Sequence, residues 1–264
     1  MIPITGTLGQ MIFVLLLSAV RYLLIAGLAF LVFYIWYKRK PFLQKIQARW
    51  PQGSDYRREV VFSFITFVIF ALVPLVLNHP AVKPHTTFYS QLSEHSTAYN
   101  ILIFPVMLLM HDAYFYFTHR LMHHPQLFKF FHLLHHKSTN PSPWASFAFS
   151  PAEAVVESGI IYVFAFTIPI HFAHIMVFLV FMTLYNVYGH LGYELFPKGT
   201  NRHWLGKWFN TSVNHNQHHQ YFKGNYGLYF TFWDRLMGTT RQDYHQRFEE
   251  VTGKLTVDRE NGIR

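Results

Sequence analysis

Residues 119–136 read HRLMHHPQLFKFFHLLHH, and residues 215–219 read HNQHH. These stretches hold three histidine clusters: His119-x3-His123-His124, His132-x2-His135-His136 and His215-x2-His218-His219. Helical positions i, i+3 and i+4 lie on one face, so each H-x2-H-H run is expected to aim its imidazoles at a single point. The chain has 18 histidines, and most lie between His111 and His219. Scattered surface or core histidines are therefore the weaker interpretation, and the pattern predicts metal binding.

The composition points to a membrane protein. The chain has 264 residues, of which 51% are hydrophobic, 19% aromatic and only 13% charged, whereas soluble domains have about 25% charged residues. The net charge of +9 comes from basic residues that flank apolar segments, which favours anionic lipid headgroups over nucleic acid as the partner. The absence of cysteine excludes disulfides, thiolate-bound zinc, iron–sulfur clusters and a cysteine nucleophile.

Apolar runs predict an all-α, integral-membrane helical bundle of about four or five membrane segments. The first run contains Arg21, which is expensive there unless it reaches the interface or a partner. We expect this run to be a retained membrane helix, because it is too long for the core of a secretory signal. The last two runs, separated by Pro169 and His171, are expected to form a hairpin. The runs cover residues 11–37, 60–77, 98–117, 155–170 and 172–188.

Basic residues predict the orientation of these helices. Only Lys83 is basic in the loop between the second and third runs, whereas the loop 38–58 is rich in basic residues and is expected to be cytoplasmic. The third run then ends on the cytoplasmic side, and the hairpin returns the chain to that side. All three clusters should therefore form a cytoplasmic cap. The basic residues of the loop are Lys38, Arg39, Lys40, Lys45, Arg49, Arg57 and Arg58.

The number of histidines indicates two metal ions, since one metal takes about three to six ligands and the clusters supply nine histidines. Imidazole suits iron, zinc, copper and nickel. Zinc is disfavoured because it usually takes about four ligands, and the H-E-x-x-H pattern is absent. The E-x-x-H motif of soluble di-iron bundles is also missing. A pair of irons held by histidines at a membrane surface remains.

The runs HDAYFYFTHRLMHHPQLFKFFHLLHH (111–136) and NHNQHHQYFKGNYGLYFTFWDRLMGT (214–239) resemble the sterol desaturase and fatty acid hydroxylase superfamily of integral-membrane di-iron enzymes. The resemblance covers about half of the chain, residues 108–240, and the stretch 225–239 is similar to C-5 sterol desaturases and C-4 methyl sterol oxidases. It implies a cytosol-facing site at which two Fe ions activate O2, the co-substrate, to oxidise an unactivated C–H bond of a lipid. Electrons would come from a separate cytochrome b5-like or ferredoxin-like protein with its reductase.

The resemblance also implies three segments and a ligand set. The segments are N-terminal membrane helices with their loops (1–97), the catalytic domain (98–241) and a polar C-terminal tail (242–264). His190 matches a further histidine that lies between the second and third clusters, and His123 is preferred over His124, which some members would use instead. The metal ligands by position are His119, His123, His132, His135, His136, His190, His215, His218 and His219.

Metal-bound imidazoles usually donate their other N–H to an oxygen acceptor. The nearest candidates in sequence are Asp112, Asn214 and Asp234, together with Glu153 and Glu157, although the two glutamates also fit the start of a helix. His111 is expected to be a pocket or proton-relay residue, and the histidines without partners at ligand spacing to be interface or loop residues: His171, His174 and His203. Four aromatic residues fit either a lipid tunnel or bilayer-facing rings: Tyr114, Phe115, Tyr116 and Trp144.

An O2-dependent lipid hydroxylase or desaturase is therefore the leading functional prediction. The alternatives are a histidine-rich protein that binds or transports metal and a catalytically silent relative. Transport predicts ionisable residues in the middle of several spans, whereas these clusters lie at span ends, and the intact clusters oppose the silent relative. The sequence leaves open the lipid class, hydroxylation against desaturation, the electron donor and the oligomeric state.

Overall fold

The structure, a computed structural model, describes residues 6–38 and 44–260. Arg39 and Lys40 of the predicted basic loop lie outside the described residues, as do the first five residues of the first predicted segment and the last four of the predicted tail. Helices dominate the described part of the chain. They are α1 (Thr7–Phe30, continued by a π-helical stretch Leu31–Trp36), α2 (Gly53–Phe70), α3 (Val73–Leu77), α4 (Thr97–Met122), α5 (Pro125–Phe131), α6 (Leu133–His136), α7 (Pro151–Thr167), α8 (Phe172–Gly189), α9 (Ser212–Tyr221), α10 (Phe232–Leu236) and α11 (Tyr244–Glu260).

Four helical segments are long and apolar enough to cross a bilayer: Thr7–Trp36, Gly53–Leu77, Thr97–Met122 and Phe172–Gly189. Their outer faces carry exposed leucines such as Leu24 and Leu102, as expected for helices whose surroundings are lipid. The predicted helical membrane bundle is confirmed. The predicted hairpin corresponds to α7 and α8, whose turn brings the chain back to the end at which α7 begins.

Aromatic side chains pack the bundle near the histidine clusters. Tyr22 of α1, Phe67 of α2 and Phe147 are fully buried against one another, with ring centroids 5.3 to 6.1 Å apart. Phe147 ends the 3₁₀ turn Pro143–Phe147, which lies between these helices. Full burial of one such side chain stabilises a fold by about 1.5–3 kcal/mol. This packing fixes the loop between the second histidine cluster and α7.

The described part of the basic loop lies at the same end of the bundle as the histidines. Strand β1 (Gln44–Lys45) pairs antiparallel with β2 (Tyr193–Glu194), which follows α8. Beyond β1, the side-chain amide of Gln47 donates to the carbonyl of Thr139 and to the side chain of Asn216, both at 2.9 Å. The loop between α1 and α2 is therefore attached to two of the histidine-bearing segments.

The C-terminal segment, predicted as a polar tail, forms helix α11 in its described part. Tyr244, Phe248 and Val251 on this helix are buried against Ile46 and Val213. Because Val213 belongs to α9, the helix of the third histidine cluster, α11 packs directly against the helix that carries this cluster.

Candidate metal centre

Nine histidines converge at one end of the bundle in two groups. The potential ligand atoms within each group all lie within 4.8 Å of one another. The five-histidine group consists of His119, His123, His132, His136 and His218. The four-histidine group consists of His135, His190, His215 and His219. These are the nine residues that the sequence predicts as ligands.

The expectation that each H-x2-H-H run points to one site is wrong, because the second and third clusters are each divided between the groups. His132 and His136 join one group, and His135 joins the other. Likewise, His215 and His219 lie together, whereas His218 lies in the opposite group. An α-helix turns by about 100° per residue, so positions i and i+4 are about 40° apart, but i+3 and i+4 are about 100° apart. Two sites on either side of the helix therefore separate i+3 from the i, i+4 pair.

Local sequence determines which histidine of the first cluster enters the site. His119 lies on the last turn of α4 and His123 caps that helix, with the amide of His123 donating to the carbonyl of His119 at 3.1 Å. Pro125 begins α5, so the chain turns away after His123. His124 is exposed at this turn and belongs to neither group. The structure thus places His123, the preferred residue, in the centre.

The third cluster lies on α9, a buried polar helix. Every residue from Ser212 to His219 is buried, which requires a partner for each polar group. The side chain of Thr211 caps the helix by accepting from the amide of Asn214, and the carboxylate of Glu194 accepts from the amide of Val213. Phe222 ends the helix in the left-handed conformation. These contacts fix the ends of α9 and join its first turn to β2, which follows α8.

Oxygen acceptors fix the tautomer of four histidines. The Nδ1 atoms lie 2.7 to 3.0 Å from backbone carbonyl oxygens. A carbonyl can only accept, so each Nδ1 carries the proton and each neutral ring presents an unprotonated Nε2. The pairs are His119 with Tyr226, His190 with Asn186, His218 with Gly224 and His219 with Ser138.

Unprotonated nitrogens consequently face each other. The Nε2 atoms of His190 and His219 are 3.1 Å apart, although both rings hold their proton on Nδ1. A second proton would relieve the repulsion between these lone pairs, but burial lowers the pKa of His190 to about 4 and the pKa of His219 well below its ordinary value. A cation between the rings satisfies both lone pairs without protonation. The arrangement fits one metal ion in each group.

The chemistry of the ligand atoms narrows the range of metal ions that the two groups could bind. All nine donors are imidazole nitrogens, and neutral imidazole is a ligand for iron, zinc, copper and nickel. Five and four protein nitrogens exceed the roughly three that a catalytic zinc site uses. The two groups are therefore suited to metals of higher coordination number.

Glu153 is the acidic side chain that contacts a predicted ligand. Its Oε1 lies 2.6 Å from Nδ1 of His132, and both residues are buried. Ser150 caps α7 by accepting from the amide of Glu153 and also donates to the carbonyl of Phe131 at 2.6 Å. The start of α7 is thereby joined to the bend before His132, which orients that ring. Glu157, one turn later, lines a cavity instead.

The three other predicted acceptors lie one step further from the rings. Asp112 accepts from the amides of Tyr229 and Phe230. Asp234 accepts from the amides of Tyr226 and Gly227 at 2.9 and 2.8 Å, and burial raises the pKa of its carboxyl. Because the carbonyl of Tyr226 receives the Nδ1 proton of His119, Asp234 positions the acceptor and not the ring.

Asn214 contributes through its backbone. Its carbonyl accepts from the side-chain amide of Asn225 at 3.1 Å. Both polar atoms of its own side chain are buried without a hydrogen-bond partner. None of the hydrogen bonds in the described part of the chain joins Asn214 to a histidine ring.

Glu59 is a supporting residue that the sequence analysis missed. It is fully buried on α2 and accepts from the hydroxyls of Ser138 and Ser142, the first at 2.7 Å. Ser138 presents its carbonyl to Nδ1 of His219. Glu59 lies one residue before the predicted run 60–77 and inside the segment Gly53–Leu77 of the structure. An acidic residue at the edge of an apolar run is energetically costly unless it is paired, and that signal could have identified Glu59.

Four other histidines that the sequence analysis considered have different contacts. His111 lies 2.9 Å from the hydroxyl of Tyr229 and lines the cavity. His171 caps α8 and contacts the carbonyl of Ser90, and His174 accepts from the amide of His171. His203 accepts from the amides of Leu205 and Gly206. None of these four is in either of the two histidine groups.

An apolar cavity of about 260 Å³ lies inside the bundle, next to residues that contact the histidine groups. His111, Phe149 and Asn186 border it near the histidines, and Gln10 and Asn78 border its opposite end. Phe115 also lines it, whereas Tyr114, Tyr116 and Trp144 are not among its lining residues. Its size approaches that of ligand cavities, which are about 300–1,000 Å³.

Comparison with known proteins shows which protein family and which characterised enzymes this chain is similar to. The family model for fatty acid hydroxylase matches residues 104–239. A Delta(7)-sterol 5(6)-desaturase of Gibberella zeae is 32% identical over 80% of this chain and 63% of its own length. Human lathosterol oxidase is 27% identical over 70% of this chain and 61% of its own length. The chain thus spans less than two thirds of the length of these relatives. No solved structure matches it.

Proposed function

The chain belongs to the fatty acid hydroxylase family, and from that membership we propose that it is a membrane-bound di-iron enzyme that uses O2 to hydroxylate or desaturate a lipid. The family and its sterol-desaturating relatives support oxidoreductase chemistry on a lipid. The observation that carries the proposal is the convergence of nine imidazoles into two groups beside an apolar cavity.

The two groups would hold one iron each. Bound iron would supply the activation of dioxygen and the removal of hydrogen from an unactivated C–H bond. The protein's part is to keep the rings neutral and fixed. Carbonyl acceptors on four rings and Glu153 on a fifth hold the Nδ1 protons, so the Nε2 atoms stay free for the metal.

The cavity would hold the lipid and exclude water. Its walls are mainly Phe, Leu, Ile and Met side chains from α1, α4, α7 and α8. An apolar chain or ring system gains about 25 cal/mol for each Å² that it buries there. Because the cavity reaches His111 and Asn186, four residues before His190, a bound lipid would place one carbon close to the four-histidine group.

The metal centre would face the cytoplasm. Gln47 of the basic loop contacts Asn216 between the ligands of the third cluster, so loop and centre share one end of the bundle. Loops rich in Lys and Arg are retained on the cytoplasmic side. A separate cytochrome b5-like or ferredoxin-like electron donor would then approach the centre from the cytoplasm.

The decisive experiment measures oxygen consumption and lipid products together. Purified protein supplied with iron, a reductant and a small redox carrier should consume O2 only when a suitable lipid is present. The product, identified by mass spectrometry, should have gained one oxygen or lost two hydrogens. Oxidation confined to one lipid class would identify the substrate.

The competing function predicts a different result in vesicles. A metal transporter would carry iron or zinc across the membrane and leave every lipid unchanged. Metal flux without lipid oxidation would therefore contradict the enzyme proposal. The grouping of the nine histidines at one end of the bundle, eight of them buried, supports the enzyme.

A further inference from the structure

Arg21 is a buried cation in the wall of the cavity. The residue lies in the middle of the first membrane segment and is only 7% exposed. It borders the same cavity as Phe147, Phe178 and Met182. A guanidinium in such surroundings costs several kcal/mol unless a partner compensates it.

The protein compensates Arg21 only in part. Its Nε donates to the hydroxyl of Thr183 on α8 at 2.8 Å, and that hydroxyl donates to the carbonyl of Leu179 at 2.7 Å. Nη1 is buried and has no hydrogen-bond partner. Within the described part of the chain, no carboxylate lies within 4 Å of the guanidinium. Even Glu157, which borders the same cavity, is not paired with it.

The position of Arg21 separates it from the metal centre. Its partner Thr183 lies on α8, seven residues before His190, which caps the C-terminal end of that helix. Seven residues are nearly two helical turns, so both positions face the same side about 10 Å apart along the axis. Arg21 is therefore suited to hold one end of a molecule whose other part reaches the histidines.

We propose that Arg21 is the recognition site for an oxygen function on the lipid substrate, a carboxylate or a hydroxyl held by the guanidinium inside the cavity. This inference rests on the proposed function, because it concerns the lipid that occupies the same cavity. It makes Arg21 a positioning residue. The unpaired Nη1 provides a donor, and an acceptor oxygen is the ligand chemistry that satisfies it.

The test is a binding cycle that needs no turnover. Binding of hexadecanoic acid and hexadecane, and of a 3-hydroxysterol and its 3-deoxy analogue, is measured on iron-free protein in detergent. Arg21→Met should weaken binding of at least one oxygen-bearing lipid roughly ten- to hundredfold, while its deoxygenated partner changes little. The pair that responds distinguishes carboxylate from hydroxyl.

Two further variants separate recognition from packing. Arg21→Lys keeps the charge but loses the forked donors, so it should give an intermediate loss. The matched control is Arg202→Met, which removes a guanidinium from a side chain that is 68% exposed and 3.7 Å from the carboxylate of Glu249. This variant should leave binding unchanged. Without ligand, Arg21→Met should melt no lower than the wild type, because an uncompensated buried charge has been removed.

Equal weakening of oxygenated and deoxygenated lipids, no weakening of either, or a large loss of ligand-free stability would each overturn the inference. Its failure is distinguishable from failure of the proposed function. If the enzyme oxidises lipid but Arg21→Met does not selectively weaken binding of an oxygenated lipid, only the role of Arg21 is wrong. If this selective loss of binding is present but no lipid is oxidised, the oxidase proposal is wrong.

Discussion

Nδ1 of His132 lies 2.6 Å from Oε1 of Glu153, and both side chains are buried. The contact joins the bend between α5 and α6 to the first turn of α7. It is the one contact within 4 Å between a carboxylate oxygen and a histidine ring nitrogen in the described part of the chain. A carboxylate in this position orients the ring and raises its basicity toward a metal.

Removing the carboxylate should weaken the five-histidine group. Glu153→Ala is expected to lower iron affinity about 10- to 100-fold, because His132 loses the acceptor that fixes its ring. Iron content after dialysis against a graded chelator measures the effect. Glu157→Ala, one turn along α7 and without a histidine contact, is the control for metal content. Equal iron loss in both variants would contradict the assigned role of Glu153.

The division of the clusters predicts which iron each histidine holds. His218→Ala removes a donor from the five-histidine group and His135→Ala removes one from the four-histidine group. Each variant should therefore lose about one of the two proposed irons, the double variant should lose both, and each should abolish activity. Iron analysis and Mössbauer spectroscopy give the occupancy. His174→Ala should keep both irons, so a comparable loss there would refute the ligand assignment.

Asp234 should contribute to stability through the loop that it holds. In Asp234→Asn, one oxygen becomes an NH2 group that faces a backbone amide, so at least one of its buried hydrogen bonds is lost. The free energy of unfolding should fall by about 1–3 kcal/mol. Asp243→Asn, which alters an ion pair with a side chain 47% exposed, should change it by less than about 1 kcal/mol. Indistinguishable urea midpoints for the two variants would contradict this prediction.

The orientation of the centre can be tested by labelling, because the chain has no cysteine of its own. Gln126→Cys and Lys223→Cys introduce thiols at exposed positions next to the first and third clusters. In intact cells, a charged maleimide should not react with either thiol. Both thiols should react with it after the membrane is permeabilised. Labelling of either position from outside would refute the proposed cytoplasmic face.

Local patterns in the sequence were sufficient to predict the helices, and they also selected histidine as the candidate ligand. Segments such as Thr97–Met122 are apolar over a whole bilayer thickness. Neither this apolar length nor the spacing of the histidines depends on residues far away in the sequence. Nine of the histidines could be selected because their spacing and the family resemblance agreed. The preference for His123 over His124 came from the family resemblance, and the structure adds a local reason, because Pro125 begins α5 directly after His124.

Tertiary structure decided how those histidines are shared. His135 and His136 are neighbours in sequence but lie in different groups, because the two sides of one helical turn face two separate sets of partners. Sequence spacing gives the angle between side chains, but not what stands opposite each of them. The carbonyls of Tyr226, Gly224 and Ser138 have no side-chain signature at all, and only folding brings them to Nδ1 of three rings.

Arg21 shows the same division. The sequence indicates that a cation in an apolar span needs a partner. Only the packing of α1 against α8 shows that Thr183 satisfies one nitrogen and leaves Nη1 without a partner in the wall of a cavity. Burial and pairing are properties of surroundings that come from segments far apart in the chain, and for this reason the tertiary structure alone determined them.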